Sequence, residues 1–478
     1  MTGKLCGIIL LPMFTIEEIL KTTRGTLIQQ GAAFKKIRGV SIDSRTIGPQ
    51  ELFIAIQGNR FDGHDYAAPA IEKQAALIIV SKKNFHFSQN SRRPPMILVA
   101  DTTKALGDIA HFHRQRFSIP IIAVTGSNGK TTTKEMIAAV LGARYNVLKN
   151  VATENNHIGV PMTLLRLNSS HHLAVLEFGT SHFGDIRWLA KITNPTVGLF
   201  TNIGESHLEF LKTKSGVLKE KTEMIKYLRP PATLVVNQDD LHLKKILNRK
   251  FKGKILTYGI DSPSDFQASG VKITGQAQLQ FKVNRRQPFQ LKTPAVHNVY
   301  NALAALACGR LFDLSFQEIQ ERIANFNFPQ GRQAVHQSGR FVVINDTYNA
   351  NPASVRSALE TLKSLSTKGK KIFVCADMLE LGSQSKKLHA AIGKSIGQSS
   401  IDAVFTTGHL ARFISQTVKE ENKDLTADHF DTIEGVHNRL KEYCRTGDVI
   451  LVKGSRGMRM ERTVKFLLEE LSHVSLRA

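Results

Sequence analysis

No early stretch of this chain is apolar for long enough to cross a membrane. A spanning helix needs about 20 consecutive apolar residues. The longest early run, Cys6-Gly7-Ile8-Ile9-Leu10-Leu11-Pro12-Met13-Phe14, is shorter, carries a proline and lacks a clear cleavage site, so neither a membrane anchor nor a signal peptide is expected. Cysteine is scarce: Cys6, Cys308, Cys375 and Cys444 are scattered and form no CxxC pair. That excludes a zinc-ligand pattern and a disulfide framework, and implies reduced thiols in the cytoplasm. There is one tryptophan, and no platform of alternating aromatic and basic residues for stacking bases. Negative charge is in short supply: 64 Lys and Arg face 40 Asp and Glu, a net charge of +24. The excess is spread along the chain, with only isolated pairs such as Lys35-Lys36 and Arg285-Arg286. This argues against a nucleic-acid surface and suits polyanionic small substrates. No internal repeat or low-complexity tract interrupts the sequence.

What is present is a globular composition. Of 478 residues, 42% are hydrophobic and 22% charged, enough apolar material for about three domains. The first hundred residues alternate short apolar runs with turns. Strands are expected at 37–42, 52–56, 76–80 and 97–100 and helices at 14–22 and 67–73, a small α/β domain. A helix at 106–117 then leads into a continuous β-branched run at 121–124, read as a buried strand. Further strands are expected at 173–178, 196–201, 233–236 and 255–258, with helical patterns between them and an alanine-rich helix at 299–311. Such alternation predicts a mostly parallel sheet covered by helices. Beyond Phe328-Pro329-Gln330-Gly331 a second α/β pattern begins, with strands at 341–344, 371–375, 403–406 and 448–452 and helices at 355–365, 385–396, 410–419 and 433–442. The expected organisation is an N-terminal α/β domain over 1–101, a central mostly parallel domain over 102–329 and a C-terminal Rossmann-like α/β domain over 330–478.

Directly after the strand at 121–124 stands Thr125-Gly126-Ser127-Asn128-Gly129-Lys130-Thr131-Thr132-Thr133. A strand, a glycine turn and a helix start form a phosphate cradle, because successive backbone N–H groups and the helix dipole favour an anion. Lys130 would reach the β/γ-phosphates and the Thr131 hydroxyl would ligate magnesium. The common GxxxxGK[ST] spacing would put its first glycine at Val124, so this is a shorter loop. Glu177 closes an apolar strand, where α/β folds place ligand groups; it is either a magnesium ligand or a solvated strand end. His207 follows another strand end and is either structural or functional. Lys219 and Lys221 lie in a helical stretch. Asn298 and Asn301 are three apart and share a helix face, though Asn298 could instead cap that helix. Arg332 and Asp346 flank the last domain junction. Asn351 can cap a helix with Pro352 at its first position, and Val355, Leu359 and Leu362 give that helix its apolar face.

The loop Thr125–Thr133 resembles the ATP loop of the Mur ligases, which build the peptide stem of peptidoglycan precursors; folylpolyglutamate synthetases share a related loop. The segments Gly58–Asp65, Asn155-Asn156-His157-Ile158-Gly159-Val160-Pro161, Asp346-Thr347-Tyr348-Asn349-Ala350-Asn351-Pro352, Asp377-Met378-Leu379-Glu380-Leu381-Gly382 and 453–462 extend the resemblance over essentially the whole chain. They are similar to the branch of the family that adds a D-alanyl-D-alanine dipeptide. The DNPR-type segment of the diaminopimelate-adding branch is missing. Thr153-Glu154 departs from the glycine-containing approach usual before Asn155-Asn156. The resemblance starts at Phe14, which makes Met13 the expected natural start and residues 2–12 an extension.

The resemblance implies an ATP-dependent amide ligase that joins D-alanyl-D-alanine to UDP-N-acetylmuramoyl-tripeptide through an acyl phosphate. The N-terminal domain is then the binder of the UDP substrate, with Ser44 and Arg45 gripping the diphosphate. Gly126, Ser127, Asn128, Gly129, Lys130, Thr131 and Thr132, together with Asn298, Asn301, Arg332 and Asp346, would hold ATP. Asn155, Asn156, Asn349 and Asn351 would contact the peptide substrates. Two Mg2+ ions are implied, one on Thr131 and Glu177, the other on His207 and a lysine carbamylated by CO2. That lysine is Lys221, with Lys219 as the alternative. A cytoplasmic monomer without nucleic-acid or membrane partners is expected. The competing classes are a folate-glutamylating ligase, a nucleic-acid-dependent P-loop ATPase and a non-enzymatic binding protein.

Overall fold

The computed structural model describes residues 13–31, 36–58, 61–82, 93–152, 154–247, 250–274, 278–338 and 340–471. Residues 1–12, Asn59 and Arg60 of the glycine-punctuated stretch, and Thr153 lie outside the described residues. The chain forms two compact units. One holds residues 1–120, 148–174 and 188–194; the other holds 121–147, 175–187 and 195–478.

The first unit carries a five-stranded sheet in the order Thr26–Gln29, Met96–Leu98, Leu77–Val80, Glu51–Ile54, Gly39–Ser41. The first pairing is antiparallel and the others parallel. The edge strand Thr26–Gln29 was not expected, since its outward residues are exposed and it lacks a continuous apolar run. The helix Ile16–Thr23 opens with a capping box in which Thr15 and Glu18 exchange hydrogen bonds with each other's backbone N–H. Phe53, Ile78 and Val80 form the core together with Ala67 and Ala70 of the helix Ala67–Glu72. The helix Thr102–Gln115 also belongs to this unit.

A nine-stranded sheet follows, in the order Gln287–Leu291, Gln278–Val283, Phe266–Thr274, Lys254–Gly259, Thr233–Asn237, Val197–Phe200, Ile121–Thr125, Leu173–Glu177, Val147–Lys149. The strands Ile121–Thr125, Val197–Phe200, Thr233–Asn237 and Lys254–Gly259 are parallel neighbours. The ribbon 266–291 is antiparallel and was not anticipated. Its strand Gln278–Val283 buries only alternate residues, Leu279, Phe281 and Val283, a fainter signal than the wholly buried runs beside it.

The C-terminal sheet has six strands, in the order Ala334–Gln337, Val342–Asp346, Val449–Lys453, Lys371–Ala376, Ala403–Thr407, Thr426–Phe430. All pairings but the first are parallel. Both faces are covered, and the period-two pleat sorts the side chains. Phe373, Cys375 and Leu451 pack with Val355, Leu359, Ile392 and Ile414 on one face. Ile372, Val374 and Ile450 pack with Val436, Leu440 and Leu467 on the other. The helix Pro352–Ser364 starts as its sequence predicts: Asn351 caps it in a capping box with Ser354, and Pro352 opens it.

Candidate functional site

The carboxyl ends of the parallel strands in the nine-stranded sheet converge on the loop after Ile121–Thr125. Gly126 (φ +153°) and Gly129 (φ +80°) shape that loop. A Cβ on Gly126 would meet Thr201 Oγ1 at 1.9 Å, and one on Gly129 would meet Asn301 Oδ1 at 2.7 Å, so neither position admits another residue without displacement. Thr201 Oγ1 donates to the Asn128 carbonyl (2.6 Å), Asn202 Oδ1 accepts from the Asn128 N–H (2.9 Å), and Ser127 Oγ accepts from the Gly204 N–H (2.9 Å). The segment 201–204, after the neighbouring strand, therefore holds the loop's shape. The helix Lys130–Leu141 begins at once, pointing its N-terminus into the loop.

Lys130 Nζ folds back onto the loop, donating to the carbonyls of Gly126 (2.9 Å) and Ser127 (3.4 Å). Burial pulls its pKa below the ordinary lysine value; nearby Glu177 opposes that shift and Arg332 adds to it. Thr131 Oγ1 donates to Glu177 Oε2 at 2.7 Å. Glu177 is 1% exposed, so it is no solvated strand end. The hydroxyl and the carboxylate together offer hard oxygen donors of the kind magnesium takes. Arg332 Nη2 donates to the same hydroxyl (3.1 Å), and the guanidinium lies 3.7 Å from the Tyr348 ring centroid. Thr132 is buried in the first turn of the loop helix.

The asparagine pair sits as a pair. Asn301 Nδ2 donates to Asn298 Oδ1 (2.8 Å), and Thr133 Oγ1 donates to Asn301 Oδ1 (3.0 Å). Asn298 lies inside the helix His297–Leu311 rather than at its cap, and its Nδ2 is buried with no protein partner among the described residues. Asn351 Nδ2 donates to Asn128 Oδ1 of the phosphate loop (2.7 Å) while its Oδ1 caps the helix Pro352–Ser364. Asn349 is exposed, its Oδ1 accepting from the Ala350 N–H. Asp346 is buried and accepts from Lys453 Nζ (2.7 Å).

Lys221 and Lys219 part company. Lys219 is exposed, with Nζ 5.9 Å from the Phe183 ring centroid. Lys221 is 0% exposed, and its Nζ has no hydrogen-bond partner among the described residues. Burial, and after it the charge of Lys130, hold its pKa well below the usual lysine range; Glu220 and Glu177 act in the opposite direction. A buried amine biased toward its neutral form is a nucleophile for CO2, and Lys219 has no such environment. His207, at φ +54°, pairs through Nδ1 with Glu380 Oε2 at 2.6 Å. Among the described residues, no group of three or more His, Cys, Asp and Glu side chains is arranged to hold a metal ion.

Four predicted residues lie in the first unit. Ser44 is 7% exposed. Arg45 is exposed and paired with Asp43 (Nη2 to Oδ2, 2.7 Å), which holds the Asp43 carboxyl down at about 2. Asn156 Oδ1 accepts from the N–H groups of Ile158 and Gly159, and Asn155 lies beside it, partly buried. Sequence reasoning gave no role to Asn202, Tyr348, Glu380 or Lys453. Each lies within two residues of a residue or segment that was singled out, and that proximity was the available signal.

A glycine-cornered phosphate loop, a buried strand-end carboxylate and an arginine reaching in from a second α/β sheet define a multidomain P-loop protein that handles a nucleotide. Three family profiles match the chain in order: Mur ligase family, catalytic domain, over residues 36–114; Mur ligase middle domain over 124–309; and Mur ligase, glutamate ligase domain, over 331–456. The UDP-N-acetylmuramoyl-tripeptide–D-alanyl-D-alanine ligase of Bacillus subtilis is 35% identical over 457 residues, 95% of this chain and 98% of that protein. The Escherichia coli protein of the same name is 32% identical, with the same coverage of both. Among solved structures, MurF from Acinetobacter baumannii superposes with a TM-score of 0.86 at 28% identity, covering 96% of this chain and 99% of that one. MurF from Thermotoga maritima in complex with ADP gives 0.80 at 27%, covering 91% and 97%. The chain belongs to the Mur ligase family.

Proposed function

We propose that the chain joins D-alanyl-D-alanine to UDP-N-acetylmuramoyl-tripeptide, with ATP giving ADP and phosphate. The observation that carries this reading is the Gly126–Thr131 loop with Glu177 and Arg332 converging on the Thr131 hydroxyl, in a chain that covers nearly the full length of ligases named for that reaction. A carboxylate is a poor acylating agent. The terminal carboxylate of the tripeptide therefore attacks the γ-phosphorus of ATP, the bond to the β-bridging oxygen breaks, and ADP leaves. The dipeptide amine attacks the resulting acyl phosphate, loses a proton, and the tetrahedral adduct expels phosphate. No enzyme nucleophile is required.

Catalysis is electrostatic and positional. Lys130, bonded here to loop carbonyls, would swing to the β/γ-phosphates. Arg332 would neutralise the transferring phosphoryl group, with Tyr348 fixing its guanidinium plane. Asn298, Asn301 and Asp346 would hold the nucleotide. Ser44, Arg45, Asn155, Asn156, Asn349 and Asn351 would serve the UDP and peptide substrates. Thr131 and Glu177 fit one Mg2+, and His207 with a carbamylated Lys221 would complete a second site. Bound magnesium supplies charge neutralisation of the phosphoryl oxygens.

The reading assigns the enzyme to the cytoplasm as a monomer; among the described residues no helix is long and apolar enough to cross a membrane. Purified protein, offered ATP, the tripeptide nucleotide and D-alanyl-D-alanine, should release ADP and phosphate and yield a product of the pentapeptide mass. Formation of AMP with pyrophosphate, or no nucleotide turnover, would refute the reading.

A further inference from the structure

Lys453 ends the strand Val449–Lys453, and the parallel register sets it opposite Asp346, the last residue of Val342–Asp346. Its side chain is 2% exposed. Nζ donates to Asp346 Oδ2 at 2.7 Å and to the Asn349 carbonyl at 2.9 Å. Gln333, itself 4% exposed and held at φ +56°, donates through Nε2 to the same Oδ2 at 3.4 Å, and its Oε1 accepts from Thr361 Oγ1. Both donors thus fall on one carboxylate oxygen. Asp346 Oδ1 has no protein partner among the described residues.

A buried ion pair is a poor device for stability, since desolvation cancels most of the attraction and apolar residues of similar volume serve as well. What an apolar pair cannot do is direct a carboxylate. We propose that Lys453 is a positioning residue for nucleotide binding: it takes Oδ2 of Asp346 so that Oδ1 faces the ligand. This rests on the reading of Asp346 as a nucleotide contact.

The test is a double-mutant cycle on the full chain, with ADP and Mg2+ titrated calorimetrically. Lys453→Met and Asp346→Asn should each weaken ADP binding about tenfold or more, and Asp346→Asn/Lys453→Met should stay within about twofold of Asp346→Asn, because residues acting through one contact are not additive. If Asp346→Asn weakens binding and Lys453→Met does not, the positioning role is overturned and Asp346 keeps its own. If Asp346→Asn leaves affinity unchanged, the reading of Asp346 fails and the inference falls with it. If Lys453→Met costs the same in both backgrounds, Lys453 acts apart from Asp346 and the proposal is wrong. Should Lys453→Met not fold, the double variant, which leaves neither charge of the pair buried alone, is compared with Asp346→Asn: a further loss of about tenfold between them overturns it.

Discussion

Lys130 and Lys221 show how much a side chain's surroundings decide its chemistry. Both are lysines near Glu177, and burial lowers both pKa values, Lys221 the further. Lys130 lies against loop carbonyls that a phosphate would displace, and the proposed reaction uses it as a mobile cation. Replacing it with alanine should cut turnover by roughly 10²-fold or more, since preorganised charge at the reacting centre carries this chemistry. Circular dichroism and the unfolding midpoint should stay unchanged. Near-normal ligation by Lys130→Ala would remove the loop from the mechanism. Lys221 Nζ has no hydrogen-bond partner among the described residues, and burial biases its amine toward the neutral form that the proposed uptake of CO2 requires. Protein equilibrated with 13C-bicarbonate should show a carbamate carbon resonance that survives Lys219→Ala and vanishes in Lys221→Ala. The opposite pattern would transfer the modification to Lys219. Formate or acetate should partly restore turnover to the variant that has lost its carbamate.

Elements supply the directions in which these groups point. Asn351 shows an element boundary carrying two tasks, because one amide oxygen caps Pro352–Ser364 and the amide nitrogen reaches Asn128. Asn351→Ala should destabilise the protein by about 1 kcal/mol for the lost cap. Asn351→Asp keeps the cap oxygen and loses the donor to Asn128. Denaturant unfolding should therefore separate alanine from aspartate, while nucleotide affinity should fall in both; equal unfolding midpoints for the two variants would remove the cap from the explanation. The helix start was legible because Asn-Pro is a local signal. The ribbon 266–291 and the edge strands Thr26–Gln29, Ala334–Gln337 and Thr426–Phe430 were not, because each buries one face or less and their pairing partners are distant or unremarkable in sequence.

At the scale of the whole second unit, the central and C-terminal sheets are tied by polar contacts as well as by chain. Arg332 reaches Thr131, Asn351 reaches Asn128, and His297 Nδ1 lies 2.8 Å from Ser357 Oγ. Burial drives the His297 pKa down to about 4 from an ordinary 6.5. The folded state therefore prefers the neutral ring. The stability that depends on it is present above about pH 6.5 and is lost as the pH falls toward about 4, by at most about 1.4 kcal/mol per pH unit. His297→Gln should flatten the pH dependence of unfolding in that window relative to the parent chain; an unchanged slope would show that His297 titrates normally.

The amino-acid order alone determined the alternating α/β pattern, the phosphate loop after its strand, and the roster of polar residues at strand ends. These are local facts, written in continuous apolar runs, glycine spacing and cap residues. Only the tertiary structure decided which lysine is buried, that Glu177 bonds Thr131, that Arg332 stacks on Tyr348, and that Glu380 and Lys453 stand behind His207 and Asp346. Those outcomes depend on burial and on register between strands more than 100 residues apart, as for Asp346 and Lys453. Short-range sequence pattern holds no trace of either, because desolvation and hydrogen bonding act on distances in space and not along the chain.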